Sequence, residues 1–123
     1  MEGRYEAVNH VLEEMRRDNP GLDAVAVVSS DGMPVVTLMS AADELKVSAM
    51  AATLQGVAEQ VIKELRGGEL RHVIVTSEEG TLVIKSVSKD FVLVMLVRVE
   101  AKIGFSLWQA EQASLKIAKI LSP

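Results

Sequence analysis

Cysteine is absent from the chain. That absence removes disulfides, thiolate zinc sites and cysteine nucleophiles together, and it agrees with a reducing compartment. Aromatic residues are scarce, at 3%: Tyr5, Phe91, Phe105 and Trp108. The core must therefore be built from Val, Leu, Ile, Ala and Met, and a stacking platform for bases or a flat cofactor is disfavoured. An excess of basic charge is missing too. The net charge is −4 and the sequence pI is about 5.2. The chain offers no basic stripe for nucleic acid and no basic membrane-surface helix. Its longest apolar run, Phe91 to Val97, is far too short to span a bilayer. The opening Met-Glu-Gly-Arg-Tyr-Glu-Ala lacks the apolar core of a signal peptide. The expected location is the cytoplasm, without membrane insertion.

What is present fits one globular domain over residues 1–123. Hydrophobic residues make up 49%, enough for a full core, and charged residues 24%, close to the usual share for a soluble protein.

The pattern predicts three helices and five strands. Tyr5, Val8, Leu12 and Met15 recur at helical spacing over Glu2 to about Asp18. Glu2 and Glu6 near the start, and Arg16 and Arg17 near the end, suit the helix dipole. Asn19-Pro20-Gly21 stops that helix. Ala24 to Ser30 reads as a strand, Asp31-Gly32 as a tight turn, and Met33 to Met39 as the returning strand. Pro34 places that second strand at a sheet edge, because proline donates no ladder bond. Ser40-Ala41-Ala42-Asp43 resembles a capping box ahead of a long helix to about Arg66, which Gly67-Gly68 ends. Glu69 to Thr76, Thr81 to Val87 and Phe91 to Val99 read as an antiparallel meander with turns at Glu79-Gly80 and Lys89-Asp90. A last helix is predicted over Phe105 to Leu121.

Phe91 to Val97 is apolar on both faces, so this strand should be central and covered on both sides. The first strand shares that character and is its natural neighbour. The expected sheet order is 2-1-5-4-3. Strand 3 then lies at the edge opposite Pro34, with Leu70, Val73, Ile74 and Val75 blunted only by Arg71 and His72. An edge of that kind is a liability unless something pairs with it, and a second copy is a suitable partner.

The long helix carries Val47, Met50, Ala51, Leu54, Ala58, Val61, Ile62 and Leu65 in one stripe, expected to pack on the sheet. The opposite face holds Ala41, Leu45, Ala49, Ala52 and Gly56. Alanines favour a helix whatever faces them. Leu45 and Gly56 do not fit that explanation, since a helix-interior glycine costs up to about 1 kcal/mol against alanine. A small, apolar, outward face lets another backbone approach closely.

Chemistry is hard to find. His10 and His72 have no partner at metal-ligand spacing, and no Gly-x-Ser-x-Gly elbow exists. Gly67-Gly68 follows a helix and so cannot cradle phosphate at a helix start. Glu13, Glu14, Glu78 and Glu79 read as solvated faces and a turn. No catalytic residue, metal ligand or cofactor is expected, and the chain is read as a non-enzyme.

The order and punctuation of elements resemble the roadblock / dynein light chain family in its compact prokaryotic form, which includes the mutual gliding protein B group. The resemblance rests on Val27-Val28-Ser-Ser-Asp-Gly-Met-Pro-Val35, the long helix rich in small residues, Leu82-Val-Ile84, Asp90 before the apolar strand, and Ile103-Gly104 before the final helix. It implies an α/β (α+β, profilin/longin-like) fold with order α-β-β-α-β-β-β-α, two helices on one face of the sheet and one on the other. It also implies a homodimer through the middle helix and third strand. Members bind Ras-like small GTPases or act as scaffolds, and some stimulate GTP hydrolysis without an arginine finger.

The expected function is thus a homodimeric regulator or scaffold of a Ras-like small GTPase. Ala41, Leu45, Ala49, Ala52, Gly56, Leu70, His72 and Ile74 are the candidate dimer contacts. Lys46, Met50, Thr53 and Gln60, which flank the small face, are the candidate GTPase contacts. The alternative is a small-molecule sensor or ligand-binding module.

Overall fold

The computed structural model describes residues 2–99 and 101–123, the side chains of 2, 41 and 42 excepted. Its elements are α1 (Glu2–Asp18), β1 (Leu22–Ser29), β2 (Pro34–Leu38), α2 (Ala41–Glu64), β3 (Val73–Thr76), β4 (Gly80–Ser86), β5 (Phe91–Arg98) and α3 (Ile103–Leu121). The sheet is antiparallel throughout, in the expected order β2-β1-β5-β4-β3.

Alternation along each strand divides the core into two layers. On one face Val25, Val27, Val83, Leu93, Met95 and Val97 pack against Val8, Leu12 and Met15 of α1 and Ala110, Ala113 and Ile117 of α3. On the other face Ala26, Val28, Ile84, Val92 and Val94 pack against Ala51 of α2. Both-face burial is what makes β1 and β5 apolar at nearly every position. Arg4 ties the two-helix layer together: its guanidinium donates to the carbonyls of Ile120 at 3.2 Å and Leu121 at 2.7 Å, capping the carbonyl end of α3.

The Asp31-Gly32 turn forms as expected. Gly32 sits at φ +97°, and a Cβ there would meet the Ala49 Cα at 3.3 Å. Glycine thus serves both the turn and the close passage of α2.

Three local expectations need correction. Ser40 occupies the N-cap of α2 but makes no side-chain cap bond. Arg66, not a glycine, takes the left-handed position after α2, at φ 54°. Its N–H donates to the Lys63 carbonyl and the Gly67 N–H to the Ile62 carbonyl, a Schellman closure. Finally, β3 begins at Val73 rather than Glu69, so Leu70 and His72 precede the strand.

Candidate functional site

The middle helix inverts the usual amphipathic rule. Its sheet-facing row contains Ser48, Ala51 and Gln55, all buried. Ser48 Oγ and Gln55 Oε1 have no hydrogen-bond partner there. Its large apolar side chains face solvent instead: Met50 is 57% exposed, Val57 58% and Leu65 70%, with Leu54 and Val61 also open. The expected inward stripe is therefore wrong at Met50, Leu54, Val61 and Leu65. At its first half the helix passes close to the sheet, with Gly32 against Ala49 and Ala51 packed on the Ala26, Val28 and Val94 layer.

Among the candidate dimer contacts on α2, Leu45 (62% exposed), Ala49 and Gly56 face solvent, and a Cβ at Gly56 would meet nothing within 4 Å. Ala52 is half-buried beside Gly32. Ala41 lies in the first turn, and its side chain is outside the described residues. The four candidate GTPase contacts, Lys46, Met50, Thr53 and Gln60, are all exposed. Thr53 is anchored by a 2.9 Å hydrogen bond from its hydroxyl to the Ala49 carbonyl. At 100° per residue Ala49, Thr53, Gly56 and Gln60 form one exposed row of α2, a line of mostly small side chains.

The edge supplies the second half of the surface. β3 is paired only with β4, through Val73–Thr76 against Thr81–Ile84. Ile74 and Val75 are exposed. Val73 packs in the α2 layer, so alternation turns Val75 to that side and Ile74 to the α3 side. His72, half-buried, also lies toward α3, where Glu111 acts on it. Burial first, then Lys85, holds its imidazole below the ordinary 6.5, with Arg71 adding to them and Glu111 opposing. The structure thus brings Leu45, Ala49 and Gly56 together on one helix face. It places His72 and Ile74 on the other side of the sheet, joined to that face through the edge backbone.

A cavity of about 590 Å³ opens where residues 68–70 stand off the end of β4. Gln55, Glu59, Lys63, Ser86 and Lys89 line it, with charges of both signs and no aromatic residue. Among the described residues no group of three or more His, Cys, Asp or Glu is placed to hold a metal ion. Arg98 is engaged within the chain, donating to the Pro20 carbonyl and lying 3.5 Å from the Asp23 carboxylate.

The surface is therefore a sheet edge beside a helix with an apolar exterior, and residues 8–97 match the family model of the Roadblock/LC7 domain. The chain belongs to that family. The Roadblock/LC7 fold is shared closely with solved structures at low identity. A Roadblock/LC7 domain from Streptomyces avermitilis superposes with a TM-score of 0.87 at 16% identity, covering 92% of this chain and 96% of that one. The gliding protein mglB from Thermus thermophilus gives 0.86 at 18% identity, covering 95% and 90%. MglB from Myxococcus xanthus gives 0.85 at 17% identity, covering 94% and 88%. No curated protein sequence matches the chain. Among the described residues no helix of this Roadblock/LC7 chain is long and apolar enough to cross a membrane.

Sequence reasoning missed the exterior row Met50, Leu54, Val57, Val61. Its spacing of four, three and four is the signal of a core stripe as much as of an interface. The packing of Ala51 on the sheet, invisible in the sequence, separates the two.

Proposed function

We propose that this Roadblock/LC7 domain is a non-enzymatic, cytoplasmic homodimer that regulates or scaffolds a Ras-like small GTPase. One observation carries the proposal: α2 exposes Met50, Leu54, Val57 and Val61 while burying Ser48 and Gln55. A free monomer gains nothing from that arrangement, since exposed apolar area of this extent marks an interaction surface. In the dimer two α2 helices cross at the small residues Ala49 and Gly56. Leu45 and Val57 fill the flanks, and the β3 edge pairs with its copy to extend the sheet. Ile74 contributes at that edge, and Leu70 and His72 lie just ahead of it.

Lys46, Met50, Thr53 and Gln60 then border the paired helices and are the proposed GTPase contacts. No arginine finger is offered in this scheme. The dimer acts on the GTPase switch loops by binding one nucleotide state more tightly, which shifts their population.

The test is the affinity of the protein for a Ras-like small GTPase of its own organism, loaded with GDP or with a non-hydrolysable GTP analogue. We expect roughly a tenfold preference or more for one state. Lys46→Glu with Gln60→Glu should abolish it while the solution mass stays that of the wild type. Absence of binding, or equal affinity for both states, contradicts the proposal.

A further inference from the structure

On the opposite side of the sheet, α3 carries an exposed ridge that neither the α2 surface nor the β3 edge explains. Trp108 is 58% exposed and Leu115 59%. Phe105 stacks on Trp108, with ring centroids 5.9 Å apart and planes at 23°. The buried face of α3 uses other residues, among them Ala110, Ala113 and Ile117.

Phe105, Trp108, Gln112, Leu115 and Lys119 follow one another at spacings of three, four, three and four. This is the seam spacing of a two-helix coiled coil. Read in opposite directions about Gln112, the seam is self-complementary. We propose that a second copy of this chain lies antiparallel on the ridge, with the twofold axis at Gln112. Each layer then meets a suitable partner. Gln112 faces the partner's Gln112, and an amide both donates and accepts. Trp108 packs on the partner's Leu115, and Leu115 on the partner's Trp108. Phe105 presents its ring to the ammonium of the partner's Lys119, a cation–π layer.

An isologous interface demands that self-matching, and a foreign helix does not. Charge agrees. A shallow groove beside the ridge has Glu14 and Asp18 on its α1 wall and Lys116 on its α3 wall. The same symmetry carries the partner's Lys116 toward Glu14 and Asp18. This pairing needs neither the GTPase role nor the α2 surface. Combined with an α2–β3 dimer it joins dimers into larger assemblies, because the two surfaces lie on opposite faces of the sheet.

Trp108 is the only tryptophan, so its emission reports this ridge alone. The experiment records Trp108 emission and light-scattering mass along one dilution series for wild type, Leu115→Glu and Phe105→Glu, with circular dichroism confirming each fold. For wild type, emission should move to the blue as concentration rises, in step with a doubling of mass. Leu115→Glu should weaken the association by roughly tenfold or more. Phe105→Glu should retain it, because the new carboxylate faces the partner's Lys119. Emission unchanged across the series overturns the pairing whatever the mass does, as does a blue shift of Leu115→Glu at the same concentrations as wild type. Loss of association in Phe105→Glu overturns the antiparallel register. A blue shift seen only on adding the GTPase would assign the ridge to that protein instead.

Discussion

Asn19 and Gln109 are joined side chain to side chain across 90 residues of chain, with Asn19 Nδ2 donating to Gln109 Oε1 at 2.9 Å. The same Nδ2 donates to Ser106 Oγ at 2.9 Å, and Gln109 Nε2 donates to the Met15 carbonyl at 3.0 Å. Asn19 Oδ1 accepts from the Gly21 N–H at 3.1 Å. This buried polar set fixes where the end of α1 meets the first turns of α3.

Removing its hub should be costly. Asn19→Ala leaves Gln109 Oε1 and the Gly21 N–H without partners. We expect a loss of about 2–3 kcal/mol from that exposure of unpaired buried groups. Urea unfolding of the variant against wild type measures it, and a change within a few tenths would show the network to be dispensable.

Ser48 should behave in the opposite way. Its Oγ is buried beneath α2 without a partner, so deleting the hydroxyl removes a desolvation penalty. Ser48→Ala is expected to stabilise the fold by about 1 kcal/mol. The midpoint of urea unfolding should rise with an unchanged slope.

Arg66 holds a left-handed conformation that glycine adopts more readily. Arg66→Gly keeps the Schellman bonds and relieves that conformation. A gain of about 0.5–1 kcal/mol is expected, the left-handed relief exceeding the entropy glycine adds to the unfolded chain. Thermal unfolding checks the sign.

His72 sets a pH dependence. Its imidazole lies below the ordinary 6.5 and its Nε2 is buried without a partner. As pH falls through that ordinary value, the unfolded chain takes up the proton before the folded one does. Stability is therefore lost on acidification, while above about pH 7 both states are neutral and the residue contributes no slope. His72→Gln should show a shallower fall in unfolding free energy between about pH 7 and 5. Parallel curves for the two proteins would refute the assignment.

Much of the architecture is legible in the residues. Phe91 to Val97, apolar at every position, announces a central strand, and Pro34 an edge. Asp31-Gly32 marks the first hairpin, and β5 indeed separates β1 from β4. The site is less legible for physical reasons. Both flanks of α2 carry apolar residues, so periodicity alone does not say which one meets the sheet. That is settled by Ala51 against Ala26, Val28 and Val94, a contact between separate elements. The Asn19–Gln109 bond leaves no local pattern, because its partners are distant in sequence. The strand expected from Glu69 starts late, since the chain leaving Arg66 and Gly68 reaches β4 only at Val73.

The most direct test concerns the exposed side of α2. Light-scattering mass would be measured in dilute solution for wild type and Val57→Glu, both in a Leu115→Glu background that removes the α3 pairing, each with circular dichroism to confirm the fold. Val57 is 58% exposed, so a folded monomer tolerates the carboxylate. A helix-to-helix contact does not, because it would bury an unpaired charge. We expect two chains for wild type and one for Val57→Glu. A wild type that stays a single chain, or a Val57→Glu that remains paired, would contradict the assignment of α2 as the assembly surface.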